Sequence, residues 1–354
     1  MKKLKTIFKK NIVTTKTPLR ISFSGGGTDM PYFYSKFNGI TVSTSINKFV
    51  YVTVKRHSNF EEKFRLNYSE TEIVKSIDNI KNLRIRETLK YFKIDEPLYI
   101  NTISDLPYNT GLGSSSAFLI GLINGIFLLQ NKNVKLKTLS EIAFKIENKI
   151  TKNSLGKQDH YIAAYGGLKY ITYLKKNITV NKIMISKKNL EFLNRNLLFL
   201  WTGKTRLSKN NLIQQKKNLN NNINDLQNLK KIAIKFKNLL ISKKLDLNML
   251  GFLLNQNWKI KKNFTKTVSN IYLNKIYNDA ISAGCLGGKL LGAGGGGFFL
   301  FICKKNIQKK VISKIKNCTA ISIKFHEKGS KNCFVGWLNL SIYYLILDNL
   351  KNIL

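Results

Sequence analysis

The stretch that most narrows what this chain can become is DLPYNTGLGSSSAFLIGLINGIFLLQ, Asp105 to Gln130. Pro107, Asn109, Gly111 and Gly113 punctuate a loop, three serines follow, and from Ala117 the apolar residues recur at helical rather than alternating spacing. A serine at such a point is a natural helix N-cap. Glycines beside a helix start let the backbone close on an anion, and both the unpaired N–H groups and the positive dipole end favour phosphate. That chemistry suits a nucleotide triphosphate. An ordinary capped helix after a glycine turn has the same local signature, so the decision rests on what else the chain carries.

Upstream, Ile12 to Phe23 reads as extended, with Pro18 and then alternating LRISF before SGGGTDMPYF, Ser24 to Phe33. Three consecutive glycines make a poor helix or strand but permit close approach to a ligand, while Thr28 and Asp29 supply a hydroxyl and a carboxylate able to grip sugar hydroxyls. A surface turn accounts for the glycines equally well, though not for Arg20 and Asp29 on either side. Ile40 to Arg56 is β-branched and alternating, which predicts sheet.

Downstream, Leu139 to Ile150 has helical periodicity and carries Glu147, and Asn153 to Leu174 breaks at Gly156, offers a short helix with Asp159, and returns through Gly166 and Gly167 into a strand. Two carboxylates on neighbouring elements fit the division of labour in phosphoryl transfer, one holding Mg²⁺ and the other accepting a proton. Taken alone, Glu147 is equally a solvated residue on a helix face. The polar run from Lys187 to Asn196 marks a domain boundary before strand-like LLFLWTG. A helical Asn- and Lys-rich region then extends to about Ser269, followed by GCLGGKLLGAGGGGFFLFIC, Gly284 to Cys303. Four glycines from Gly294 to Gly297 imply close packing against a ligand or against the first domain. The layout is α+β.

Several classes drop out. The formal charge of +41 invites a nucleic-acid reading, but the lysines are spread along the chain among Asn and Ile instead of forming a tract, so no nucleic-acid partner is expected. Cys285, Cys303, Cys318 and Cys333 form no C-x-x-C pair, which fits a reducing cytoplasm better than a zinc or disulfide framework. MKKLKTIFKKNIV has no continuous apolar core for a signal peptide, and LNLSIYYLILDNL is too short to span a membrane and reads as a terminal packing segment. Gly203-Lys204-Thr205 lacks the earlier glycine of a Walker A loop, and no strand–GxGxxG–helix unit is present.

Together PLRISFSGGGTD, LPYNTGLGSSSA and KLLGAGGGGFFLF, in that order over nearly the whole chain, resemble the substrate motif, phosphate loop and C-terminal glycine motif of the GHMP kinases. GGGTD with INKFVYVTV, RETL, IEN, GKQDHYIAAYGGL and TGKTR is similar to the branch that phosphorylates D-glycero-D-manno-heptose 7-phosphate. The resemblance implies an N-terminal domain of ribosomal-protein-like α/β topology over residues 1–190, a ferredoxin-like C-terminal domain over 191–335 and an extension over 336–354, with ATP and a sugar phosphate between the domains. It also implies Mg²⁺ as cofactor and leaves room for a homodimer.

By position, the resemblance makes Asp159 the catalytic base and Arg20 its basic neighbour beside the transferred phosphoryl group. It makes Gly111, Leu112, Gly113, Ser114, Ser115 and Ser116 the triphosphate cradle, and Ser115 with Glu147 the Mg²⁺ contacts. Gly26, Gly27, Thr28 and Asp29 fall at sugar contacts, and Gly292 to Gly297, Gly294 and Gly295 foremost, at the cleft floor. Lys157 and Arg206 are the candidates for a distal phosphate on the sugar. His160 departs from the glutamine expected after the aspartate.

Overall fold

The computed structural model describes residues 8–57, 62–152, 154–205 and 222–339. Two sheets organise them. The first holds β1 (Phe8–Ser24), β2 (Gly39–Arg56), β3 (Phe64–Asn67), β4 (Thr71–Val74), β5 (Leu98–Ser104), β6 (Leu168–Tyr173), β7 (Ile178–Lys182) and, from the far end of the chain, β12 (Lys331–Asn339). The order runs β12-β1-β2-β5-β3-β4, with β6 on β2 and β7 on β6, and all pairs are antiparallel except β3 with β5. The second, four-stranded and antiparallel, has the order β11 (Thr319–Ile321), β8 (Leu197–Trp201), β10 (Phe298–Ile302), β9 (Gly287–Leu290).

The apolar run after the serines forms the helix Ser114–Leu129, which lies on β1 and β2 with most of its residues buried. Its approach is close because Gly121 and Gly125, one turn apart, face the sheet: a methyl at Gly121 would sit 3.0 Å from the Thr17 hydroxyl and 3.1 Å from Val52. Thr15 exploits the space by donating to the Gly121 carbonyl at 2.9 Å. Larger side chains there would cost about 1–3 kcal/mol in overpacking and would lift the helix, and with it the serine loop, off the strands.

The expected division at Lys187–Asn196 coincides with the passage from first sheet to second, but as the helix Lys187–Arg195, capped by Ser186, and not as a linker. The second half does not keep to itself. Helix Ile223–Leu240 packs on β1 and β2, with Phe236 stacked on Phe23 at 5.2 Å, and β12 pairs along the outer edge of β1. The proposed boundary between 335 and 336 therefore falls inside a strand of the first sheet. Residues 340–354, most of the suggested extension, lie outside the described residues. Among the described residues no helix is long and apolar enough to cross a membrane.

Candidate active site

A cleft of about 540 Å³, an ordinary size for a ligand site, opens where the loops ending β1, the serine loop and the glycine tract before β10 meet. Arg20 sits at its centre because β1 and β2 lose register between Pro18 and Arg20. A proline cannot donate to a ladder, and such irregularities re-aim the residues that follow. The Arg20 N–H leaves the sheet and donates to the Leu112 carbonyl at 2.9 Å, tying β1 to the serine loop. Its side chain is buried, with Nη1 donating to the Gly111 carbonyl at 2.6 Å. Nε and Nη2 donate to the two carboxylate oxygens of Asp159 at 2.7 and 2.6 Å, a bidentate fork. Asp159 lies in the first turn of the helix Gln158–Tyr165 and keeps 29% of its side chain exposed.

The serine loop meets this pair. Gly113 takes φ 75° as the residue capping the helix Ser114–Leu129, and no side chain caps that N-terminus. A Cβ at Gly113 would press on the Arg20 side chain at 3.0 Å, and one at Gly111, where φ is 85°, would lie 2.4 Å from the Leu291 carbonyl oxygen. Glycine is needed here for backbone angle and for space. Gly111, Gly113, Ser114, Ser115 and Ser116 all border the cleft, whereas Leu112 is buried.

Glu147 is fully buried on the helix Leu136–Ile150, which removes the solvated-face reading. Arg84 donates to its Oε1 from Nε at 2.8 Å and sits 2.7 Å away through Nη2. Oε2 accepts from the Ser116 hydroxyl at 2.9 Å and lies 2.7 Å from His160 Nε2. Burial by itself would raise the Glu147 carboxyl, but the charge of Arg84 and the His160 contacts outweigh it and hold the group well below the usual carboxylate range. The serine touching Glu147 is thus Ser116, while Ser115 borders the cleft without such a bond. In kind, an ionised carboxylate and serine hydroxyls beside the uncapped N-terminus of the helix Ser114–Leu129 fit Mg²⁺, which takes one or two protein oxygens and completes its shell from phosphates and water. Because Arg84 already engages Oε1, a metal bound there would compete with that guanidinium.

Gly26, Gly27 and Asp29 border the same cleft. Asp29 accepts N–H bonds from Gly27 at 2.9 Å and Gln158 at 3.0 Å; burial nevertheless raises its carboxyl, and the charge of Asp159 adds to this. Gly156 is required beside it, since a Cβ there would stand 2.0 Å from Asp29 Oδ2.

Other expected contacts go elsewhere. Thr28 is fully buried, its hydroxyl bonded to the Gly25 and Ile40 carbonyls and to the Ile40 N–H, so it closes the glycine turn and faces no ligand. Lys157 turns from the cleft to hold both Glu141 oxygens at 2.7 and 2.8 Å, over the Phe144 ring. Gly294 and Gly295 pack on Val268; Gly292 and Ala293 are the tract residues that border the cleft. Arg206 lies outside the described residues.

Three cations at the cleft had not been singled out. Arg84 is set by Asn82, which caps the helix Leu83–Tyr91. Lys261 donates to the Leu290 and Gly292 carbonyls. Lys289 on β9 is 3% exposed and donates to the Phe23 carbonyl at 3.1 Å; burial first, then the charge of Arg20, push it down to about 7. Arg84 lies two residues before RETL, and Lys289 is itself the first residue of KLLGAGGGG.

Comparison with known proteins agrees with this geometry. The family profile described as "GHMP kinases N terminal domain" matches residues 71–167, and "GHMP kinases C terminal" matches 237–320. D-glycero-alpha-D-manno-heptose 7-phosphate kinase of Campylobacter jejuni is 28% identical over 317 residues, covering 86% of this chain and 93% of that protein. Galactokinase of Pyrococcus furiosus is 24% identical over 329 residues, covering 84% and 91%. Among solved structures, a D-glycero-D-manno-heptose 1-phosphate kinase from Bacteriodes thetaiotaomicron superposes with a TM-score of 0.75 at 21% identity, covering 92% of this chain and 99% of that one. At that identity the likeness speaks for the fold.

Proposed function

Because the chain belongs to the GHMP kinase family and is a small-molecule kinase, we propose that it transfers the γ-phosphoryl group of ATP to the anomeric hydroxyl of D-glycero-D-manno-heptose 7-phosphate, giving the 1,7-bisphosphate. The observation that carries this reading is the Arg20–Asp159 fork, held against the uncapped N-terminus of the helix Ser114–Leu129.

In this mechanism Asp159 accepts the proton of the C1 hydroxyl as its oxygen bonds to the γ-phosphorus. The bond from that phosphorus to the β,γ-bridging oxygen breaks, and ADP leaves with the electron pair. An anomeric hydroxyl is more acidic than an ordinary alcohol, so a modest base suffices. Arg20 and the N–H groups of the serine loop stabilise charge on the transferring group, and positioning supplies much of the remainder. Gly26, Gly27 and Asp29 line the sugar's side. Mg²⁺, when bound, would neutralise β- and γ-phosphate charge; Glu147 and a serine hydroxyl are the residues that would hold it. A product of this kind would feed nucleotide-activated heptose for surface glycans such as lipopolysaccharide or capsule.

The metal assignment separates by substitution. Glu147→Gln is expected to raise the Mg²⁺ concentration for half-maximal activity at least about fivefold, since a neutral amide is a poor ligand for a hard cation. Comparing Ser115→Ala with Ser116→Ala in the same titration tells which hydroxyl serves. Unchanged titrations in all three would make these residues structural.

The substrate is tested with a panel of heptose 7-phosphate, unphosphorylated heptose, fucose and galactose, followed by ³¹P NMR of the product. A kcat/KM for the 7-phosphate at least about a hundredfold above the others is expected, as a site built for a dianion is left unpaired without it. Equal activity on phosphorylated and unphosphorylated heptose would move the assignment to a simple sugar kinase. No turnover of any sugar would favour a protein that only binds.

A further inference from the structure

The cationic side chains of the cleft are unequally matched. Arg20 is answered by Asp159 and Arg84 by Glu147, each pair closing to 2.7 Å or less. Lys289 has no such answer: it is as deeply buried as Arg20, and among the described residues none of the ion pairs includes it. Among the described residues its ammonium makes one hydrogen bond, to the Phe23 carbonyl, and an ammonium has three donors to place. The charge of Arg20 bears on it with the same sign. A buried ammonium without a counter-ion is costly, and a methionine of similar length would pack in its place without that cost. Lys289 nevertheless borders the cleft, together with Gly26, Gly27 and Asp29 from the first sheet's loops and Asn257 and Lys261 from the helix Leu247–Lys262.

Resting on the reading of this cleft as a sugar-phosphate kinase site, we propose that Lys289 is a phosphate-binding residue whose ammonium receives the oxygens of a phosphoryl group entering the cleft. Two phosphoryl groups could be its ligand, the sugar's own phosphate and the one transferred from ATP. The sugar's phosphate is the assignment we favour, because Lys157, one of the two partners expected for that dianion, is committed to Glu141. The chemistry has a proton signature. Burial holds the Lys289 ammonium down near 7, and an adjacent dianion favours the charged form, so ligand binding at about pH 8 should draw a proton from solution.

The test compares the unmodified enzyme with Lys289→Met and Lys289→Arg, using thermal shift, steady-state kinetics and binding calorimetry in two buffers of different ionisation heat. Lys289→Met is expected to melt no lower than the parent. It should raise KM for heptose 7-phosphate at least about tenfold while sparing KM for ATP, and should abolish the buffer dependence of the binding heat. Lys289→Arg should recover part of the loss. An equal fall in kcat on phosphorylated and unphosphorylated heptose, with both KM values intact, would support the proposal with the transferred phosphoryl group as ligand. Two results would overturn it: kinetics and ligand-induced shifts unchanged in Lys289→Met, or a lower melting temperature with those shifts intact, as for a lysine that merely ties β9 to Phe23. Should the unmodified enzyme not accept heptose 7-phosphate, the substrate reading alone fails. Lys289 is then judged on the shifts given by inorganic phosphate and AMP-PNP, whose persistence in Lys289→Met would overturn this proposal as well.

Discussion

An Asp159→Asn enzyme is expected to bind ATP as the parent does and to turn over at least about a hundredfold more slowly. Asparagine keeps the shape and removes the negative charge, so the C1 hydroxyl loses the group that takes or orients its proton. The damage extends to the neighbour. Arg20 presents donors to both carboxylate oxygens, and an amide returns an oxygen to only one of them, so the other position sets donor against donor. The rate loss therefore contains both a missing base and a loosened arginine. Steady-state kinetics with an independent ATP titration is the measurement, and near-normal turnover would remove Asp159 from the chemistry.

Removing the arginine should cost more. Arg20 fixes Asp159 and tethers the loop through the Gly111 carbonyl, and in the proposed mechanism it is the cation beside the transferring group. Arginines in the last role alone contribute about 10³-fold or more in phosphoryl transfer. Arg20→Met is accordingly expected to lower kcat by at least about 10³-fold. Arg20→Lys, which keeps a charge but cannot span two oxygens and a carbonyl, should recover only a minor part. The Arg20→Met/Asp159→Asn double variant should be little worse than Arg20→Met alone, because the two residues act as a unit. Fully additive losses would show that they act separately.

What could be read in advance followed from local chemistry. The serine loop, the helix behind it, the extended segment that contains Pro18 and the short helix carrying Asp159 are written in spacing, glycine placement and β-branched runs, and each formed where expected. The glycine tract had two readings, ligand or first domain. A Cβ at Gly297 would meet the Thr110 carbonyl at 2.3 Å, so part of the tract exists to bring the second sheet against the serine loop. Side-chain destinations were harder. Thr28 offered a hydroxyl that pattern reading gave to a sugar, but a hydroxyl in a tight turn is taken first by the nearest carbonyls. Lys157 was placed by neighbourhood in the chain, whereas Glu141, sixteen residues earlier, decides where it points. Among 60 lysines and arginines, Lys289 stands out only by opening KLLGAGGGG, and the carbonyl that holds its ammonium lies 266 positions away.

The return of β12 to β1 bears on how the molecule is made. Thr17 and Ser330, hydrogen-bonded at 2.8 Å, are separated by 313 residues. While the chain is being synthesised, the outer edge of β1 must wait for a partner that emerges 313 residues later, on the order of tens of seconds at ribosomal speed. An unpaired edge exposed that long invites pairing with other nascent chains, and it delays a long-range contact of the fold. The basic residues Lys10 and Lys16, which sit in that waiting strand, give it the like-charge repulsion that discourages such encounters until its own partner arrives.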